Sequence, residues 1–330
     1  MSELNTSRAE PARWDNALHH WIPSLLQMSD TFYPTGSYAH SFGLEGLVQD
    51  GFVTDRATLR SFLLEQALPA LARTDLVVAA AAWDAAGEPA DFEKLEELCR
   101  LGSAMRGARE PREAADAIGR QRLELLSRRT YGAEDGSHVV AAESDRRVDG
   151  SVASSAEDKE GIFGAHGEGG PYRGSGSLVR ALKRRLNAGT KRSERSATQT
   201  IDPVGQESDA KLGQRDAQRR SATGDPRCGG VQTPNSVVAA IEARAIGAPV
   251  EAALAALIYS AAAALLAAAV KLLRLGQNAV QALLTEALAL APALIAQALA
   301  TPIAEAGAFS PWWDVAAARN ERADFRLFIS

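Results

Sequence analysis

The stretch from Tyr131 to Gly230 limits what this 330-residue chain can fold into more than any other feature. It holds 16 of the 27 glycines, 16 Lys/Arg against 15 Asp/Glu, and only 13 Leu/Ile/Val/Phe in 100 residues. So little apolar surface cannot offset the entropy of ordering the chain. A polar low-complexity insertion, taken as residues 131–235 and expected to be disordered, therefore interrupts the sequence. About 230 residues remain, enough for one sizeable core or two small ones. The expected organisation is a flexible N-terminal segment over residues 1–20 and one discontinuous domain built from residues 21–130 and 236–330.

Outside the insertion the pattern is helical. Thr54 and Asp55 offer caps for a run carrying Leu59, Phe62, Leu63, Leu68 and Leu71, in which Pro69 predicts a kink or a split and Gly87-Glu88-Pro89 a stop. Asp91 is placed to cap a second helix through Leu95, Leu98 and Leu101, and Pro111 suits the first turn of a third. After the insertion come 32 alanines between Val231 and Ser330, and alanine is the best intrinsic helix former. Gly247 and Pro249 separate two helices, Gly276 breaks the second, and Asn278 with Gln281 suggests a capping box for a third that Pro292 would kink. No segment alternates with period two. The expected fold is all-α, a single helical bundle-like domain.

Several functions are excluded on chemistry. Two cysteines, Cys99 and Cys228, 129 positions apart with the second inside the polar stretch, form neither a disulfide framework nor a CxxC metal knuckle. The opening residues lack an apolar run after a basic start, which points away from a secretory signal and toward the cytoplasm. No GxxxxGK[ST], HExxH, GxSxG or strand-linked GxGxxG occurs, so neither a nucleotide cradle nor an acyl-transfer centre is expected. A pI near 5.7 argues against nucleic acid, and the run Arg180, Lys183, Arg184, Arg185, Lys191, Arg192 reads as a solvated charged face. His19, His20 and His40 could in principle hold a soft divalent ion, but adjacent residues point to different sides of a helix, so no metal site is expected. The uncharged runs 252–270 and 287–304 are long enough for a membrane hairpin, which is the alternative reading. Their alanine content and the prolines of the second run favour a buried helix pair and no membrane.

The unusual block is Leu25 to Gly51, LLQMSDTFYPTGSYAHSFGLEGLVQDG, a tight Pro-Thr-Gly bend set among small hydroxyl residues and aromatic rings. Aromatic rings with polar tips suit a surface that meets a partner. The block resembles the N-terminal signature of the UreF-type urease accessory proteins, LLQLSDS, then P-x-G-x-[FY], then HS-x-GLE. Further segments resemble that family in the same order: Arg73-Thr74-Asp75-Leu76, Arg112-Glu113-Ala114 with Gly119-Arg120-Gln121, Lys271 to Gln277, and the ending Phe325 to Ser330. Three features depart from it. The insertion replaces a short loop, Arg274 stands where proline is usual, and Asn235-Ser236 stand where a histidine and its neighbour are common. An insertion in a surface loop costs little closure entropy, because the cost grows with the logarithm of loop length.

The resemblance implies a non-catalytic adaptor that forms a homodimer, assembles with a UreD/UreH-like accessory protein and recruits and regulates the UreG-like GTPase. That assembly delivers nickel to apo-urease in a GTP-dependent step. Nickel and GTP are then handled by partners, and no cofactor is bound by this chain. By position, Lys271 and Arg326 are expected on the surface offered to the GTPase, where arginine forks match carboxylates. Phe325, Leu327 and Phe328 are expected as apolar anchors on a mobile tail. Tyr33, Tyr38, His40, Ser41 and Gln277 complete the expected partner-binding set.

Overall fold

The computed structural model describes residues 19–135, 176–186, 232–321, 323 and 326–328. Among these residues the architecture is all-α, with no β-strand. The N-terminal half comprises α1 (Ile22–Ser29), α2 (Leu44–Gln49), α3 (Arg56–Ser61), α4 (Leu68–Arg73), α5 (Asp75–Ala85), α6 (Phe92–Ala104) and α7 (Arg109–Asp135). Residues 176–186 form α8. The C-terminal half comprises α9 (Asn235–Ala245), α10 (Val250–Leu273), α11 (Gln277–Ala289), α12 (Ala291–Ala300) and α13 (Pro311–Asn320).

Local signals in the sequence account for most of these boundaries. The Asp55 carboxylate accepts the Thr58 amide at 2.9 Å in a capping box, and Asp91 accepts the Lys94 amide at 2.9 Å. Pro69 does not break its helix outright. The backbone widens into a π-helical stretch over Phe62–Ala67 and re-enters an α-helix with proline in the first turn, where its missing N–H costs least. Gly247, at φ 79°, lets the chain reverse between α9 and α10. The expected Asn278 capping box does not form: the N-cap lies two residues earlier, at Gly276, with no side-chain cap. Arg274 occupies the left-handed region at φ 51°, a value closed to proline, so α10 ends here by its own geometry.

The core is centred on α9, in which every residue from Ser236 to Ala243 is buried. It packs against α5, α7 and α10. The expected pair of buried apolar helices is half realised. Half of the most apolar window of α10 is buried, whereas the run 287–304 is divided at Leu290 between α11 and α12, and only 22% of the corresponding window over Gln277–Ala300 is buried. Pro292 lies in the first turn of α12, so the divided geometry follows from the sequence.

A second difference concerns the insertion. Its residues 176–186 are not loose chain: Val179, Leu182 and Leu186 are buried in the main core. Lys183 pairs with Glu124 of α7 at 2.5 Å, and Arg185 reaches Glu96 of α6 at 3.5 Å and lies 5.1 Å from the Phe92 ring centroid. Lys183 and Arg185 of the basic run are thus intramolecular partners. Residues 136–175 and 187–231 of the insertion and the segment before residue 19 lie outside the described residues, whereas residues 131–135 continue α7.

Candidate partner-binding surface

The N-terminal signature folds as a bend that turns some of its side chains inward. The Asp30 carboxylate accepts the Phe32 amide at 2.7 Å, which tightens the turn after α1. Tyr33, Thr35 and Ser41 are buried. Gly36 takes φ 78°, and a short 3₁₀ turn over Ser37–Ala39 carries Tyr38, which is 66% exposed. His40 is half-buried, and burial pushes its pKa down. Phe42 and Gly43 both have positive φ, at 53° and 85°, and this strained pair aims the Phe42 carbonyl at the Trp313 indole N–H, 2.8 Å away.

That turn lets α13 settle directly on α2. A Cβ at Gly43 would stand 2.6 Å from the Trp313 indole nitrogen, and one at Gly46 would stand 2.3 Å from the Ala316 carbonyl oxygen. Only glycine permits so close an approach of the two helices. Phe52 and Trp312 lie exposed beside this contact, with ring centroids 6.1 Å apart.

The helix α13 then delivers the C-terminal residues to the same place. Glu45, in the first turn of α2, is buried, and its carboxylate accepts the backbone amides of Leu327 at 2.7 Å and Phe328 at 3.3 Å. Arg326 pairs with Glu110, at the start of α7. Burial pushes the pKa of Glu110 up, partly opposed by the charge of Arg326. Glu321 closes the same corner by accepting the Glu110 amide at 3.1 Å and the Arg109 guanidinium at 3.3 Å, an acid placed at a helix N-terminus. The Lys271 ammonium stands 5.1 Å from the ring centroid of Phe328.

The structure therefore sorts the expected residues. Lys271, Tyr38 and Leu327 are exposed, as is Gln277 at the start of α11. Phe328 is not an anchor awaiting a groove; it is already buried in the core under Lys271. Arg326 is exposed but paired with Glu110, and Tyr33 and Ser41 are buried. Phe325 lies outside the described residues. Sequence reasoning did not single out Glu45 and Glu110 as receptors for the tail, although Glu45 is part of the quoted signature. Among the described residues, no group of three or more His, Cys, Asp or Glu side chains is placed to hold a metal ion.

Glu45→Ala is expected to release the tail. Two charge-assisted hydrogen bonds are lost, worth about 1.5–3 kcal/mol each where the acceptor is charged. Limited digestion with trypsin should then cut after Arg326 roughly a hundredfold faster or more, because cleavage follows local opening and about 1.4 kcal/mol is a factor of ten. An unchanged rate would show that Glu45 does not hold the tail.

Comparison with known proteins identifies the family. The UreF family model matches residues 53–167 and 172–288, and the second segment includes α8. The urease accessory protein UreF of Lachnoclostridium phytofermentans is 32% identical over 118 residues, covering 34% of this chain and 49% of that protein. Those of Nostoc sp. and Granulibacter bethesdensis are 30% and 36% identical over 113 and 96 residues, covering 33% and 29% of this chain and 47% and 40% of theirs. The chain thus spans about half the length of the curated relatives it matches or less. With its family match extending over most of the sequence, the chain belongs to the UreF family of urease accessory proteins.

Proposed function

We propose that this protein is a cytoplasmic, non-catalytic adaptor in urease maturation. As a homodimer it assembles with a UreD/UreH-like protein and recruits and regulates a UreG-like GTPase, so that nickel reaches apo-urease in a GTP-dependent step. Nickel and GTP are carried by the partners. One observation carries the reading beyond family membership: the two terminal signatures, 282 positions apart at Glu45 and Leu327, meet in one place beside Lys271. Support comes from the exposed Lys271 and Leu327 at this meeting point, and from the exposed rings of Phe52 and Trp312 beside the contact of α2 with α13.

The test is co-purification with UreG-like and UreD/UreH-like proteins, followed by urease activation. Lys271→Ala and Arg326→Ala are expected to lower activation roughly tenfold or more while leaving the helical signal intact, since each removes a cation at the surface without opening the core. Normal activation by both variants would remove these residues from the site. Failure of the wild-type chain to co-elute with either protein would remove the function.

A further inference from the structure

The partner surface rests on a buried ionic network that no part of the proposed function yet uses. Glu242 lies on α9 with its side chain fully shielded, and Arg122 of α7 is 6% exposed beside it. The two carboxylate oxygens of Glu242 are divided. One accepts the Tyr33 hydroxyl at 2.5 Å and the other accepts an Arg122 terminal nitrogen at 2.8 Å. Two further Arg122 donors go to the Asn235 side-chain carbonyl at 3.0 Å and the Met28 backbone carbonyl at 3.4 Å, and the guanidinium carbon stands 5.1 Å from the Tyr33 ring centroid.

Holding α7 against α9 does not require this chemistry, because apolar side chains of similar volume join helices at least as well as a buried ion pair. A planar guanidinium does something apolar groups cannot: it fixes direction, since its donors leave in one plane at set angles. Here one of those directions reaches the Met28 carbonyl, while the carboxylate it pairs with, Glu242, accepts the Tyr33 hydroxyl; Met28 and Tyr33 flank the turn over residues 29–32. The end of α1 and the first residue after the turn are therefore pinned to the same buried pair. Phe32, 93% exposed, lies between them, and Tyr38 follows on the 3₁₀ turn.

We propose that Arg122 and Glu242 are positioning residues for the partner surface, acting through Tyr33 and the Met28 carbonyl to set the bend that presents Phe32 and Tyr38. Asn235, a departure from the family pattern, belongs to this device as the acceptor that orients Arg122. The proposal rests on the reading of the bend as a partner-binding element.

The test uses the full chain with Tyr33→Phe, which removes only the hydroxyl, and Arg122→Lys, which keeps the charge but cannot serve the separate acceptors from one plane. Amide hydrogen exchange over residues 28–42 is measured with each variant. So is affinity for the UreG-like and UreD/UreH-like pair, with and without Tyr38→Ala. Exchange across the bend should rise several-fold in at least one folded variant while exchange in α10 stays unchanged. Tyr38→Ala should cost about tenfold in affinity in the wild-type background and less than about threefold where the network is cut, because coupled positions are not additive. Unchanged exchange in both variants overturns the proposal, as does an equal cost of Tyr38→Ala in both backgrounds. A merely structural role would lower stability without altering that ratio. If the wild-type chain binds neither partner, the proposed function falls, while the exchange measurement still decides whether the network holds the bend.

Discussion

Gly119→Ala is expected to abolish the folded domain. A Cβ at this position would stand 1.7 Å from the Thr233 carbonyl oxygen, 2.8 Å from its carbonyl carbon and 3.0 Å from the Asn235 amide nitrogen. All three are backbone atoms, so no rotamer change relieves the overlap. Nor can the segment step aside at low cost, because it is tied to α7 by the same stretch of helix. The Thr233 amide donates to the Asp116 carboxylate at 3.1 Å, the Thr233 hydroxyl donates to the Asp116 carbonyl at 3.2 Å, and the carboxylate also accepts from Ser103 at 2.7 Å. Overpacking a core ordinarily costs about 1–3 kcal/mol. Displacing a backbone segment and breaking buried hydrogen bonds together should take the cost above about 4 kcal/mol, a large part of the 5–15 kcal/mol that holds most domains folded. Urea unfolding followed by circular dichroism should show no native baseline, or a midpoint far below wild type. A midpoint within experimental error of wild type would mean that Gly119 and Thr233 are not in contact. The same geometry supplies a reason for the glycine in the Gly119-Arg120-Gln121 motif: it is the point where α7 admits the chain returning to α9.

Glu242→Ala should cost nearly as much, by a different route. It leaves the Arg122 guanidinium buried without its carboxylate and the Tyr33 hydroxyl without that acceptor. Breaking a buried pair from one side costs about 3–5 kcal/mol, because the surviving charge remains out of water. Replacing both members by apolar residues, as in Arg122→Met with Glu242→Leu, should recover most of that loss, since no isolated charge remains. The comparison is made by urea unfolding of the single and double variants. A single variant losing less than about 1 kcal/mol would contradict the burial of the pair. The double variant separates two properties of the network: stability should return with apolar packing, whereas the set of the N-terminal bend should not.

Much of the helical skeleton is legible in the sequence because its signals are local. The caps at Asp55 and Asp91, the reversal at Gly247-Pro249 and the division of the last long apolar run near Pro292 all follow from side chains acting within one turn of themselves. The helix over 176–186 was hidden by averaging. Leu178, Val179, Leu182 and Leu186 recur at helical spacing, but a composition taken over 100 residues dilutes four apolar residues among glycines and charges. Its buried positions show that the window, not the pattern, concealed it.

The candidate surface was legible as motifs but not as an arrangement. Tyr33 and Tyr38 are five residues apart in one signature, yet one is buried against Glu242 and the other is exposed. Among the three aromatic or apolar residues expected on the tail, Phe328 is buried and Leu327 is 73% exposed, though neither neighbour alone distinguishes them. The glutamate on α9 looks from the sequence like an ordinary polar position on an alanine-rich helix.

The sequence by itself therefore determined the class of fold, many of the places where helices begin and end, and the family. These depend on interactions across three or four residues and on motifs read in order. Only the tertiary structure decided which motif residues are exposed and which are buried in the domain. The deciding contacts join Tyr33 to Glu242 across 209 positions and Glu45 to Leu327 across 282. Burial of a side chain depends on what packs over it, and neighbours that distant leave no trace in the local pattern.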